Sequence, residues 1–204
     1  MAGERRPRGE YAVGRERRST ILQTALREFA EHGYHGTSLN RIAERAGISE
    51  AGLRHHFTNK DALLVAVLEQ RDAASERPPE GRDPLVGIAD LEHHIAIVEG
   101  NTATIELARL FTVLTAEATT RDHPAAAWAV ERYRSIRASV EQGIRGGIAS
   151  GEFRSDVDAA RLARQIIAVM DGLQLQWLLD PESVDMTRDF RDYTTELLSL
   201  LRGE

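Results

Sequence analysis

Between residues 33 and 60 the chain reads "GYHGTSLNRIAERAGISEAGLRHHFTNK", and this stretch admits helix only in pieces of about two turns. Gly33 supplies a left-handed stop for whatever precedes it. Thr37 and Ser38 are capping residues ahead of an apolar side made by Leu39, Ile42, Ala43 and Ala46. Gly47 ends that helix almost at once, and Ser49 can cap another over 49–57. Asn59 can cap a third, with the stripe Leu63, Leu64, Val67 and Leu68. Helices this short are marginal in water and must pack on each other and on a longer neighbour. The spacing of Ile21, Leu22, Ala25, Leu26, Phe29 and Ala30 predicts that neighbour over 14–32. Two short helices joined by a glycine turn make a helix-turn-helix.

The second short helix turns Leu53 and Phe57 inward and exposes Glu50, Ala51, Arg54 and His55. A helix with a small, polar first half fits a DNA major groove, where its side chains reach base edges. Lys60, the chain's only lysine, opens the next helix, where a cation and backbone N–H groups together suit a phosphate. Short helix pairs also occur as plain packing hairpins, and the spacing allows that reading too. Charge bears on the choice, as a partner signal or as an uneven draw of solvated charges. Net charge is −6 overall, but residues 1–60 carry +4 and residues 61–204 carry −10. Residues 1–14, with Arg5, Arg6 and Arg8 among glycines and a proline, read as a flexible basic arm, most of it disorder without function, although such an arm beside a DNA-binding unit often reaches a minor groove.

Residues 21–64, from "ILQTALREFAEHGYHGTSLNRIAERAGIS" through "LRHHFTNKDALL", resemble the N-terminal domain of the tetracycline-repressor (TetR) family without a gap. The resemblance implies an all-α protein of about nine helices: a DNA-binding head over 15–60, and a ligand-binding and dimerisation body over 61–204. It also implies contacts, position by position. Thr37, Asn40 and Arg45 match places that touch phosphate or, at Asn40, sometimes a base. Ser49, Glu50, Ala51, Gly52, Arg54 and His55 match the recognition-helix surface; His56 and Lys60 match phosphate positions. Arg54 stands where the family usually has tyrosine, and Gly52 where threonine is common. Arginine can hold a guanine edge or a phosphate with two parallel bonds. Glu50 can accept from a cytosine amine or cap its own helix.

Beyond residue 74, "SERPPEGRDP" reads as a loop between helices. Five more helices are expected: near 84–99, near 102–120, a long one from Asp122 and Pro124 that frays at Gly146, Gly147 and Gly151, then about 156–179 and about 185–202. No strand pattern appears. The resemblance implies that the last two pair with their copies in a homodimer, with Gln176, Leu179, Phe190, Tyr193 and Leu197 as interface candidates. It also implies a pocket for an effector among the middle helices. Candidates there are Leu91, His94, Phe111, Leu114, Tyr133, Met170, Gln174 and Trp177. His94 and Gln174 stand out, because a buried polar group needs a partner that a ligand can supply.

Other classes fit less well. The absence of cysteine removes disulfides and thiolate metal sites. His55–His56 and His93–His94 are adjacent, so on a helix they diverge by about 100° and cannot share a metal. No metalloprotease, nucleophile-elbow, P-loop or dinucleotide motif is present. No apolar run is long enough for a membrane or a leader, so the expected compartment is the cytoplasm. The expectation is a non-enzymatic, sequence-specific repressor without a cofactor or metal, released from a palindromic operator duplex by a small-molecule effector and acting with its own second copy. A helix-turn-helix turned to protein contact, or an activator, is the alternative.

Overall fold

In the computed structural model, the described residues are 8–75, 85–120 and 122–202. Among them the chain forms nine helices and no strand: α1 (Arg8–His32), α2 (Leu39–Arg45), α3 (Glu50–His56), α4 (Lys60–Ser75), α5 (Ile88–Ala103), α6 (Ile105–Glu117), α7 (Ala126–Ser150), α8 (Ala159–Leu179) and α9 (Met186–Arg202). The all-α class stands. The helix starts follow local chemistry. Ser38 Oγ accepts from the Arg41 N–H, Ser49 Oγ from the Gly52 N–H, and Asn59 Oδ1 from the Ala62 N–H. Gly33 and Gly47 take φ of +67° and +69° where the chain must turn away.

The helices gather into two compact units. One comprises α1 to α4 with Val113–Ala126; the other comprises α5, α6 as far as Thr112, and α7 to α9. The division expected at 60/61 therefore shifts, because α4 packs on α1 and its apolar stripe belongs to the head's core. Ile21, Phe29, Ile42, Leu53, Leu63, Leu64 and Leu68 are all buried there. The expected arm is also shortened. α1 begins at Arg8, so Arg8, Gly9 and Gly14 lie in helix, while residues 1–7 fall outside the described residues. Most of the expected loop after α4, residues 76–84, does so too.

In the second unit, α5 and α8 both pack on α9 over a core that includes Leu91, Val98, Val140, Ile144, Ile166, Phe190 and Leu197. Two expectations about α7 fail. Asp122 and Pro124 precede it in a turn, with Asp122 at φ +66°, and helix begins at Ala126. Nor does α7 fray at Gly146 and Gly147, although Gly151, at φ +80°, stands just past its end as expected. The helix runs unbroken to Ser150, and Gly143, Gly146 and Gly147 form a flat strip against which residues 86–90 are pressed. A Cβ on Gly143 would lie 2.1 Å from Asp90 Oδ2, and one on Gly146 2.3 Å from Val86 Cγ1. On Gly147 it would lie 2.7 Å from the Gly87 Cα. The Gly87 N–H donates to the Gly143 carbonyl at 2.9 Å, which fixes the approach.

Gly147→Ala is accordingly expected to destabilise the chain. Its methyl would meet backbone that cannot move aside, a cost of about 1–3 kcal/mol that outweighs the ~1 kcal/mol gain in helix propensity. Gly100→Ala, in a helix with nothing within 4 Å of the new carbon, is expected instead to raise stability by about 0.5–1 kcal/mol. Urea midpoints of the two variants, moving in opposite directions, check this.

Candidate nucleic-acid interface

The recognition helix α3 is short because Ser49 starts it and Phe57 ends it; the extended Phe57 backbone donates its N–H to the Leu53 carbonyl. Leu53 and Phe57 are buried, as their spacing requires. Ala51, Arg54 and His55 are exposed, while Glu50, Gly52 and His56 are half-buried. The helix presents a small first half and a basic second half. Ser49 satisfies the cap, so Glu50 is free of that duty. Its carboxylate takes the Arg54 side chain instead, with Nε and Nη2 at 2.9 and 2.8 Å from Glu50 Oε1. Arg54 is thereby held along α3 toward its C-terminal end, where Nη1 reaches the Thr58 carbonyl. A base or phosphate must compete with Glu50 for it.

Two of the expected phosphate contacts are engaged elsewhere. Thr37 is buried, and its hydroxyl closes the α1–α2 turn on the carbonyls of Glu28 and Gly33 at 3.1 and 2.8 Å. It serves the fold. The Lys60 ammonium donates to the carbonyls of Tyr34 and Thr37 at 2.9 and 3.0 Å and lies 4.1 Å from the Tyr34 ring centroid. Two of its three N–H donors thus close the same turn, and the side chain is not held out as a phosphate clamp. Asn40 is exposed and bonded to Glu44 at 3.3 Å. Arg45 is half-exposed and paired with Glu28.

The α1–α2 turn also draws on residues far along the chain. The Tyr34 N–H donates to Glu117 Oε2 at 2.7 Å, and Gly33 makes room for that carboxylate, since a Cβ there would fall 2.3 Å from Glu117 Oε1. The Tyr34 hydroxyl donates to Asp61. Burial first, then this carboxylate, pushes the phenol up to about 12. The His123 ring packs edge-on against Tyr34 and His35, with centroids 5.1 and 5.8 Å away. Its Nδ1 accepts from the Ala125 N–H, so the neutral ring carries its proton on Nε2, which faces Glu117 Oε2 at 3.7 Å. Sequence reasoning passed over Tyr34, Glu117 and His123 because the partners are too distant to leave a local pattern.

Burial lowers the His123 pKa, outweighing the pull of Glu117 and Asp61, while His35 acts in the same direction as burial. A histidine depressed in the folded state binds its proton more readily when unfolded. Its contribution to stability is full above about pH 6.5 and is lost as pH falls below it, toward the folded pKa. Thermal midpoints taken between pH 8 and pH 5 are expected to fall more steeply for the wild type than for His123→Gln. Parallel profiles would remove His123 from the account.

In the body, the two polar residues singled out as lacking partners have them. Gln174 Oε1 accepts from Asn101 at 3.1 Å, and Nε2 donates to Thr112 Oγ1 and the Ala108 carbonyl at 3.0 and 3.4 Å. The His94 Nδ1–H meets the Asp90 carbonyl at 2.6 Å. Gln174 and the Nδ1 of His94 thus have partners within the protein. Leu91 is core, and Leu114, also fully buried, belongs to the head's compact unit. Phe111 stacks on Trp128 at 5.6 Å, with the Arg132 guanidinium 4.1 Å from its centroid. Tyr133 donates to Asp171 at 2.7 Å; burial and that carboxylate raise its pKa, and burial raises Asp171 as well. Met170 and Trp177 lie half-buried against the core.

Of the expected interface residues, Phe190 and Leu197 are buried within the protomer, because the α9 face that carries them packs on α5 and α8. They cannot present a free surface. Tyr193 is half-buried beside them. Gln176 and Leu179 are exposed, Leu179 by 77 %, and Leu175 and Leu200 are exposed as well.

Comparison with known proteins fits this geometry. Residues 21–67, the helix-turn-helix and its flanks, match the model of bacterial regulatory proteins of the tetR family. Residues 94–199 match the C-terminal model of BetI-type transcriptional repressors. The chain belongs to the tetR family. This tetR-family chain is 28 % identical over 173 residues to the HTH-type transcriptional regulator UidR of Escherichia coli, covering 84 % of this chain and 85 % of that one. It is also 28 % identical to TtgR of Pseudomonas putida, over 92 % of each. The SmeT–triclosan complex shares the fold, with a TM-score of 0.73 at 23 % identity over 91 % and 90 % of the two chains. SmeT is the repressor of a multidrug efflux pump in Stenotrophomonas maltophilia. The present regulator is a DNA-binding transcriptional repressor of a family whose members are generally not enzymes. Among the described residues, no helix is long and apolar enough to cross a membrane.

Proposed function

We propose that this repressor works in the cytoplasm as a homodimer, sets two α3 helices into a palindromic operator, and leaves it when a small molecule binds the body. The observation that carries the DNA contact is α3 itself, a two-turn helix with buried Leu53 and Phe57 behind and exposed Ala51, Arg54 and His55 in front. Glu50, Gly52, His56, Ser49, Asn40 and Arg45 belong to the same surface. One such helix reads only a few base pairs, so a second copy about 34–36 Å away on the duplex is required for specificity.

The exposed leucines support the dimer. Leu175 and Leu179 stand one turn apart on α8, and Leu200 is exposed on α9; side chains this apolar are favoured on a surface that a partner covers. Gln176, exposed on α8, and Tyr193, half-buried on α9, are read as part of the same interface. The effector is read as a mainly apolar molecule with a polar group. Met170, Trp177 and the Phe111–Trp128 stack offer apolar surface, and Tyr133 with Asp171 offers a polar anchor. It releases DNA only in so far as it binds the DNA-incompetent arrangement more tightly, a coupling of about 1–3 kcal/mol. No chemical step is assigned to the protein.

Retention of fragments from a genomic library identifies the operator. On that duplex, Arg54→Ala is expected to cost about 1–3 kcal/mol and to relax preference at one base pair if Arg54 reads a guanine. Leu179→Glu combined with Leu200→Glu is expected to give monomers by sedimentation and to weaken operator binding. A wild-type chain that sediments as a monomer at micromolar concentration, or retains no fragment above background, overturns the reading.

A further inference from the structure

Glu28 is an acid in the wrong place for its own sake. It lies on α1 beside Ala25 and Phe29, in the head's apolar core, and is fully buried. Burying a carboxylate is costly unless charge repays it. Two guanidinium groups do so. Arg41 Nε approaches Glu28 Oε2 at 2.7 Å, and Arg45 Nη1 approaches Oε1 at 2.9 Å. The angles are not those of regular hydrogen bonds, so the attraction is mainly one of charge. The Arg41 Nη2 also contacts His32 Nε2, whose lone pair serves as acceptor.

Both arginines lie on α2, one turn apart and on one flank, and both keep much of their side chains in solvent, 40 % for Arg41 and 51 % for Arg45. The outer parts of both guanidinium groups are therefore open to solvent and to an incoming anion. With the acid beneath and two cations above, this patch carries net +1 outward, in the part of the chain that holds the positive charge. Arg45 is held through Nη1 alone and Arg41 through Nε and Nη2, so each guanidinium keeps further N–H donors that these partners do not use. They are ordered before any anion arrives, which cuts the entropic cost of binding it.

We propose that Arg41 and Arg45 form a paired phosphate clamp on the duplex backbone and that Glu28 is the positioning residue that holds the pair. This deepens the DNA-binding reading and rests on it. Arg41 enters the contact surface as a residue that neither the motif nor the family resemblance supplied. Phosphate contacts carry no sequence information, so the clamp adds affinity and register without specificity.

The probe is a mixed-sequence duplex, titrated with the full-length chain over a range of salt concentrations. Arg41→Ala and Arg45→Ala are each expected to reduce the slope of log affinity against log salt by about 0.9 per head engaged. Arg41→Lys is expected to keep the slope. Glu28→Gln is expected to shrink the change that Arg41→Ala produces, a coupling that a simple loss of stability does not generate. Thermal melts establish that each variant is folded. Slopes unchanged in both alanine variants, with lowered melting alone, would reduce the trio to a brace and overturn the proposal. Reduced slopes without coupling to Glu28 would overturn the positioning role. A wild-type chain without salt-dependent binding would instead remove the DNA-binding reading on which the clamp stands.

Discussion

The turn between α1 and α2 is the joint on which the head depends. Its backbone reverses at Gly33, and its polar groups are claimed from several directions. Thr37 closes it from within, Lys60 ties two of its carbonyls from the start of α4, and Glu117 takes the Tyr34 N–H from the end of α6. Helices as short as α2 and α3 cannot hold their own orientation. What keeps α3 in place is the packing of Leu39, Ile42, Leu53 and Phe57 into the head core, together with this tied turn at the entrance to α2. The side chains exposed on α3 are thus aimed by groups that lie behind and beside that helix.

That arrangement changes the meaning of the chain's only lysine. A cation at a helix start suggests an anion site, because first-turn N–H groups have no partner within the helix, though here Asn59 Oδ1 takes the Ala62 N–H. The ammonium, however, meets two carbonyls and the face of Tyr34, so a phosphate would have to share or displace those contacts. Positive charge on this surface comes instead from arginines, each already in the company of an acid: Arg54 with Glu50, Arg41 and Arg45 with Glu28. Guanidinium suits the task, since its several donors let it keep one partner and meet another.

How far the sequence disclosed this follows from the range of the interactions. Ser38, Ser49, Asn59, Gly33 and Gly47 act within a few residues of themselves, so the helix-turn-helix and the inward faces of α2 and α3 were legible. The glycines of α7 were misread as fraying because what they accommodate, residues 86–90, is far away in sequence. The internal partners of Thr37, Lys60 and Gln174 were hidden for the same reason, since most of them lie far away in sequence. Phe190 and Leu197 were placed at a dimer surface for a related reason. Periodicity shows that α9 has an apolar face but not whether its own protomer covers it, and here α5 and α8 do.

Amide hydrogen exchange at Tyr34 tests the joint most directly. With the Glu117 carboxylate as its acceptor, this N–H is expected to exchange no faster than the core amides of α1, and Glu117→Ala is expected to speed it by at least an order of magnitude while those core amides stay slow. A Tyr34 amide that exchanges at the open-chain rate in the wild type would contradict the account, since the turn would then be held by something other than the contacts described.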